Sequence, residues 1–143
     1  MTDRNAESIS NSLQEAYENV YDNVKALRKP AERLVEYAKL APGQRVLDVA
    51  CGTGLSTMPA AVVVGNMGRV IGIDITEKYL DVARKKAASA GLSNVEYRMG
   101  NAEALEYDDA SFDAVICASA IFFFKDIPKV LYEWRRVLKA GET

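Results

Sequence analysis

The sequence predicts an α/β fold, a doubly wound parallel sheet with helices on both faces and an N-terminal helical cap. Three observations predict it. Short apolar runs alternate along the chain with segments of helical periodicity. The runs are apolar on both faces, as in parallel strands buried between two helix layers. With 143 residues, 49% hydrophobic and 27% charged, the chain has the size and composition of a single globular domain.

The predicted cap covers residues 1–42. Apolar residues from Ile9 to Leu27 recur at steps of three and four, which predicts a first amphipathic helix. Pro30 suits the first turn of a second helix, because that turn does not use the missing N–H. We expect this second helix to bury Leu34, Val35 and Ala38 and to end before the turn at residues 41–43.

The predicted core covers residues 43–143. Its four strands are expected at residues 45–50, 70–73, 95–99 and 112–118. The helix between the first two strands spans residues 55–64, and Pro59 should bend or shorten it. The next helix has Thr76 as its N-cap and Gly91 at its C′ position. The last helix follows Asp126 and Pro128, and we expect its inner face to carry Ile127, Leu131, Trp134 and Leu138.

Ligands of such sheets bind beyond the carboxyl ends of the strands, and the notable residues of this sequence lie there. They are Gly52-Thr53-Gly54, Asp74, Asn101 and Ser119, which follow the first to the fourth strand in that order. A glycine turn lets the backbone approach a ligand closely, and the helix after it favours an anionic group. Asp74 can accept hydrogen bonds from both hydroxyls of a ribose. The alternatives are a structural turn for the glycines and a solvated helix start for Asp74.

Two residues decide which ribose-bearing cofactor is expected. Thr57 stands where a dinucleotide-binding fold would have a third glycine. Asp48 lies beside the glycine loop. A carboxylate at this position is unfavourable for a diphosphate and favourable for the ammonium group of S-adenosylmethionine. We therefore favour S-adenosylmethionine and keep a nicotinamide-dependent oxidoreductase as the alternative.

Composition excludes several other classes. The chain has no histidine, which excludes His-dependent triads and imidazole metal sites, and we expect no metal. A net charge of −2 without a basic patch argues against nucleic acid. Neither a signal peptide nor a membrane span is evident, so we expect no membrane partner and a cytoplasmic location. The two cysteines, Cys51 and Cys117, are expected to be reduced thiols, and Cys51 to be a small filler.

Five segments together resemble the class I S-adenosylmethionine-dependent methyltransferases, which have a Rossmann-like sheet. The resemblance is strongest to the small-molecule group of ubiquinone and menaquinone biosynthesis. The segments are VLDVACGTG (46–54), VIGIDIT (70–76), GNAEAL (100–105), FDAVICASAIFFF (112–124) and EWRRVLKAGE (133–142). The resemblance implies S-adenosylmethionine-dependent methyl transfer to a small-molecule acceptor.

The resemblance also implies how each site residue acts. Asp48, Gly52 and Gly54 would hold the methionine end, Asp74 the ribose, and Ile75 one face of the adenine. The Asn101 carbonyl, where the family usually has Asp, would accept from the adenine amine, with the Ala102 backbone beside it. The Ala118 carbonyl and Ser119 would approach the methionine ammonium. No catalytic residue is assigned.

The family has a seven-stranded sheet, and this sequence stops at Thr143, where a fifth strand would begin. The sequence therefore predicts a sheet truncated before that strand, with the fourth strand as a free apolar edge through which copies self-associate. We expect the chain itself to be weakly active or inactive, and a non-catalytic cofactor-binding or assembly fragment remains an alternative. Phe122, Phe123 and Phe124 are either an acceptor wall or core packing. Tyr17 and Tyr21 either close over the cofactor or pack within their helix.

Overall fold

The computed structural model describes residues 25–143, with side chains from Arg28 onward. The first predicted helix, apart from its last residues, and the expectations for Tyr17 and Tyr21 lie outside the described residues. The cap is therefore represented here by its C-terminal part alone.

Helices and strands alternate along the described chain as the sequence predicts. In chain order they are α1 (Lys25–Tyr37), β1 (Arg45–Val49), α2 (Thr57–Val64), β2 (Arg69–Asp74), α3 (Glu77–Ser89), β3 (Val95–Met99), β4 (Ala114–Ile116) and α4 (Ile127–Val137). A single 3₁₀ turn, Ile121–Phe123, lies between β4 and α4.

The four strands form one parallel sheet in the order β3-β2-β1-β4. Val46 of β1 pairs with Val70 on one side and with Ala114 on the other. The strand order reverses at β1. The chain first adds β2 and β3 on one side of β1 and then returns to add β4 on the opposite side of β1. A crevice opens at the carboxyl ends of β1 and β4, because consecutive connections leave in opposite directions there.

Buried apolar residues cover both faces of this sheet. On one face α1 and α2 contribute Val35, Ala60 and Val64, which pack against Val46 and Val70 of the strands. The opposite cluster comprises Leu47, Val49, Ile71, Phe112 and Val137, together with the partly buried Trp134. The predicted α/β, Rossmann-like arrangement with a doubly wound sheet is confirmed.

The structure corrects the prediction about Pro30 and agrees with the one about Pro59. Pro30 does not start a helix, because α1 runs continuously from Lys25 to Tyr37 with Pro30 inside it. An internal proline removes one backbone hydrogen bond, and α1 tolerates it while burying Ala31 and Val35 on one face. The helix that was expected over residues 55–64 begins two residues later, at Thr57, with Pro59 in its first turn. The Met58 N–H donates to the Gly54 carbonyl at 3.2 Å and the Ala60 N–H to the Ser56 carbonyl at 3.1 Å, so Pro59 leaves one gap between them.

The inner face of α4 also differs from the prediction. Ile127 and Leu131 are exposed, and the residues buried within α4 are Val130 and Val137. Trp134 lies between these two at helical spacing and packs edge-on against Phe124, 5.9 Å between ring centroids. The prediction is therefore correct for Trp134 and wrong for Ile127 and Leu131. The predicted and the observed apolar faces share Trp134, and only the packing of α4 against its neighbours distinguishes them.

The outer edge of β4 is less free than the sequence suggested. The Phe112 N–H donates to the Val137 carbonyl and the Lys139 N–H donates to the Phe112 carbonyl, at 2.9 Å each. Further along, the Val115 N–H donates to the carbonyl of Thr143, also at 2.9 Å. The expectation that no residues cover this edge is therefore wrong, because the segment after α4 already pairs with part of it.

Within residues 25–143, no helix is long and apolar enough to cross a bilayer.

Candidate functional site

A cavity of about 560 Å³ lies at the carboxyl ends of the four strands. Its volume is typical of a site for a cofactor-sized molecule. The predicted site residues in its wall are Gly52, Asp74, Ile75, Asn101, Ala102, Ala118 and Ser119. Ala31 of α1 also lines the cavity, so the described part of the cap contributes to the wall.

Two wall residues have backbones in the left-handed region that non-glycine residues rarely adopt. Ala50 follows β1 with φ of 54°, and Ser119 lies beyond β4 with φ of 57°. Such conformations cost about 1–2 kcal/mol each and are concentrated at binding sites. Here they turn the chain sharply away from the two strands that border the crevice.

Asp74 links the glycine loop to the start of α3. One of its carboxylate oxygens accepts from the Gly52 N–H and the other from the Thr76 N–H, both at 2.9 Å. Asp74 is buried yet lines the cavity. Each carboxylate oxygen can accept a second hydrogen bond, so Asp74 can still receive two hydroxyls from a ligand. The predicted N-cap Thr76 makes no side-chain capping bond.

Asp48 lies beneath the loop and does not form part of the cavity wall. It is fully buried, and one carboxylate oxygen accepts from the hydroxyls of Ser56 at 2.9 Å and Thr57 at 2.6 Å. The other oxygen has no partner among the described residues. Burial raises the pKa of Asp48 from 3.8 to about 7, although the two hydroxyl bonds oppose the shift. Ser56 lines the cavity, so one hydroxyl separates Asp48 from a bound ligand.

Gly54 serves packing in this structure, and Tyr97 of β3 is the reason. A Cβ at Gly54 would lie 2.6 Å from the Tyr97 hydroxyl oxygen, and φ of 90° is itself typical of glycine. The hydroxyl is buried without a hydrogen-bond partner among the described residues. Burial also raises the pKa of Tyr97. The sequence analysis missed this contact, since Tyr97 is an ordinary inward residue of an alternating strand by pattern alone.

The segment after β3 is held in place by α4. The Ala102 carbonyl accepts from the Trp134 indole N–H at 3.2 Å, and the Leu105 N–H donates to Glu133 at 2.9 Å. Arg136 donates to the Leu105 carbonyl at 3.0 Å. Asn101 and Ala102 therefore meet the cavity from a fixed backbone.

The three phenylalanines after β4, Phe122, Phe123 and Phe124, were predicted to form either an acceptor wall or core packing, and the structure treats them differently. Phe124 packs on Trp134, while Phe122 and Phe123 are 67% and 68% exposed. Phe123 and Phe124 line the cavity together with Lys125. Core packing therefore accounts for Phe124 alone.

Cys51 is consistent with a structural filler. It is buried beside Leu80 and Tyr97, and desolvation is the largest cause that raises its thiol pKa. A raised pKa suppresses the reactive thiolate.

Comparison with known proteins places this site in a family. A sequence family described as "Methyltransferase domain" matches residues 46–141, more than half of the chain. The chain belongs to this family. The recognition made from the five sequence segments is therefore confirmed.

Individual relatives agree with the family assignment. The chain is 38% identical over 117 residues to a demethylmenaquinone methyltransferase of Bacillus cereus, covering 82% of the chain and 48% of the relative. A demethylmenaquinone methyltransferase of Shouchella clausii is 43% identical over 99 residues, with coverages of 69% and 42%. A crystal structure of an S-adenosylmethionine-dependent methyltransferase from Aquifex aeolicus superposes with a TM-score of 0.70 at 29% identity, covering 76% and 58%. The chain spans about half the length of the curated relatives it matches.

Proposed function

We propose that this chain provides the cofactor-binding part of an enzyme that transfers a methyl group from S-adenosylmethionine to a small-molecule acceptor. The observation that carries the proposal is the juxtaposition of Asp74 and the glycine loop in the wall of one cofactor-sized cavity. The family assignment supports S-adenosylmethionine as the cofactor. The proposed organisation is a cap over residues 1–42 followed by a cofactor-binding core over residues 43–143.

The donors and acceptors of the cavity fit the groups of this cofactor. Asp74 would hold the ribose hydroxyls, and the backbone at Gly52 would lie against the methionine end. The Ala118 carbonyl and Ser119 would accept from the methionine ammonium at the β4 side of the crevice. Buried Asp48 would orient the Ser56 hydroxyl behind the loop, and Gly54 would support the loop by packing on Tyr97. Ile75 would cover the adenine, with Asn101 and Ala102 at its edge.

The residues of the chain position the reactants and exclude water from them. The cofactor supplies a methyl group on a positively charged sulfur, which leaves as a neutral thioether. Because the leaving group is already good, in-line alignment and desolvation account for most of what the protein must provide. Phe123 and Phe124 line the cavity beside Ser119 and offer an apolar wall on the side of the proposed methionine end.

The acceptor proposed here is a small apolar molecule of the quinone class. The names of the curated relatives give demethylmenaquinone as their substrate, and Phe123 and Phe124 in the cavity wall are compatible with a flat apolar ring. A cytoplasmic location is part of the proposal, since Cys51 and Cys117 are both free.

We also propose that copies of the chain self-associate through the outer edge of β4, because the segment after α4 pairs with only part of that edge.

Isothermal titration of the whole chain with S-adenosylhomocysteine and with NAD⁺ tests the proposal. We expect micromolar or tighter binding of S-adenosylhomocysteine and no heat of binding with NAD⁺. Binding of NAD⁺ alone would favour an oxidoreductase, and binding of neither would leave an assembly role as the surviving interpretation.

A further inference from the structure

Lys125 is the one cationic residue in the described wall of the cavity. The wall residues with a formal charge at neutral pH are Asp74, Glu103 and Lys125. Lys125 is exposed and makes no ion pair within residues 25–143. The neighbouring acid, Asp126, caps α4 instead and accepts from the Lys129 N–H at 3.0 Å. The ammonium of Lys125 is therefore left for a ligand.

The backbone on both sides of Lys125 is held in place. On one side Phe124 packs its ring on Trp134, 5.9 Å between centroids. On the other side the Asp126 carbonyl accepts from the Val130 N–H at 3.1 Å, in the first turn of α4. Lys125 therefore extends from an anchored segment, and only its flexible side chain has to adjust to a ligand.

The wall beside Lys125 is aromatic. Phe123 and Phe124 line the same cavity, and the Phe123 ring is largely exposed. Aromatic rings pack well on one another in offset or edge-on arrangements. A ring bound against these two residues would bring its polar substituents within reach of the Lys125 ammonium.

Methyl transfer makes a second demand on this side of the cavity. A hydroxyl becomes a good nucleophile only when its proton is removed. The described wall residues that follow β4 are Ala118, Ser119, Ala120, Phe123, Phe124 and Lys125. None of these six carries a carboxylate or an imidazole, and the sequence has no histidine. An acceptor that binds as an anion already meets the demand, and an ammonium is the group that holds such an anion.

The charges of the cofactor favour an anion at the same place. Its sulfur and its ammonium are both positive, and the ammonium is proposed to lie at Ala118 and Ser119, which line the wall together with Lys125. Positive charges on one side of a cavity repel each other and attract an anion between them. The acids of the wall belong to the other side, since Asp74 ends β2 and Glu103 follows β3.

We infer that Lys125 is the counter-ion of the acceptor, and that the acceptor is an aromatic molecule whose acidic hydroxyl is bound as its anion. The ring lies against Phe123 and Phe124, and the anionic oxygen accepts from the Lys125 ammonium. The inference rests on the proposed function and deepens it by giving the charge of the acceptor.

The bonds and protons of the transfer balance without a base on the protein. The hydroxyl proton leaves to water before the acceptor binds. An electron pair of the anion then forms the bond to the methyl carbon, and the pair of the carbon–sulfur bond goes to the sulfur. If the methylated atom is a ring carbon conjugated with the oxygen, the proton of that carbon passes to water afterwards.

The test compares two probes that differ at one oxygen. They are 2-hydroxy-1,4-naphthoquinone, an anion at neutral pH, and 2-methoxy-1,4-naphthoquinone, which is neutral. Each is titrated calorimetrically into the whole chain saturated with S-adenosylhomocysteine. We expect the wild type to bind the anion more tightly. Lys125→Met should weaken binding of the anion by about threefold or more and change binding of the neutral probe by less than about twofold.

Two further variants separate the charge from its surroundings. Lys125→Arg keeps the positive charge and should retain most of the preference for the anion. Lys129→Met removes an exposed cation that lies outside the cavity wall and should bind both probes as the wild type does. Raising the salt concentration from about 50 to about 500 mM should weaken binding of the anion to the wild type and leave the neutral probe nearly unchanged.

The inference is overturned if the wild type binds both probes equally or binds neither. It is also overturned if Lys125→Met keeps the wild-type preference for the anion. The saturating titration decides the proposed function separately. If the wild-type chain binds S-adenosylhomocysteine, the proposed function survives a failure of the inference; if it does not, both fall.

Discussion

At the scale of single residues, Asp74 makes the sharpest prediction. Asp74→Ala removes charge-assisted hydrogen bonds to the ribose worth about 1.5–3 kcal/mol, so affinity for S-adenosylhomocysteine should fall roughly ten- to a hundredfold. The two backbone bonds from Gly52 and Thr76 are lost as well, which should also lower the free energy of unfolding by about 1–3 kcal/mol. Titration calorimetry and urea unfolding measure the two effects. Asp81→Ala, an exposed carboxylate of α3, is the matched control and should bind normally.

The neighbouring residues Gly52 and Cys51 are predicted to behave oppositely. A Cβ at Gly52 meets no protein atom within 4 Å, but φ is 54° and the residue lines the cavity. Gly52→Val should therefore weaken S-adenosylhomocysteine binding by steric overlap with the ligand and add about 1–2 kcal/mol of backbone strain. Cys51→Ala should bind almost normally, since the thiol only fills space. A tolerant Gly52 with an essential Cys51 would refute this account of the loop.

Asp48 predicts an unusual pH dependence. Its carboxyl pKa is raised by burial to about 7 in the folded state, against 3.8 ordinarily. The folded protein therefore binds more protons than the unfolded chain between about pH 4 and pH 7, and this contribution to stability is lost as pH rises through that window. The difference in urea midpoint between wild type and Asp48→Asn should change across the same window. A difference independent of pH would contradict the shift.

At the scale of elements, the packing of the glycine loop on β3 can be tested as a pair. Tyr97→Phe removes a buried hydroxyl that has no hydrogen-bond partner within residues 25–143, so it should be neutral or stabilise the fold by about 1 kcal/mol. Gly54→Ala should destabilise the fold, since its Cβ would lie 2.6 Å from that hydroxyl. The double variant should recover part of the loss and retain the strain of the left-handed backbone. Strictly additive effects in thermal unfolding would show that the two residues do not interact.

The elements also show what the sequence could and could not provide. Strand and helix order, the carboxyl-end placement of Gly52, Asp74 and Asn101, and the capping role of Gly91 all follow from local patterns. The buried face of α4 could not be predicted in this way. Two apolar faces are possible along that helix, and only its packing against neighbouring elements determines which one is buried. The Gly54–Tyr97 contact joins residues 43 positions apart, and no local pattern contains that pairing.

At the scale of the whole molecule, the edge of β4 predicts association. Among the described residues, 137–143 pair with Phe112, just before β4, and with Val115 of β4. The 3₁₀ turn and α4 leave Phe122, Phe123 and Leu131 exposed. An incompletely paired edge beside exposed apolar side chains favours pairing with a second copy. Sedimentation velocity at micromolar concentration should show a dimer or larger species. A monomer at every concentration would show that the segment after α4 covers the edge sufficiently.

The fold as a whole also determines which predicted site residues can contact a ligand directly. The cavity wall contains every predicted site residue except Asp48 and Gly54, and both of these support the loop from behind. The sequence analysis treated all nine predicted residues as ligand contacts, because a sequence motif does not indicate which of its residues face the ligand. The predicted division of labour is therefore direct contact by the wall residues and positioning by Asp48 and Gly54.

The most direct measurement of the central claim is a crystal structure of the whole chain with S-adenosylhomocysteine bound. We expect both ribose hydroxyls within hydrogen-bond distance of Asp74, the methionine end against Gly52 and the Ala118 carbonyl, and the purine beside Ile75 and Asn101. A ligand bound outside this cavity, or one whose ribose makes no contact with Asp74, would contradict the account.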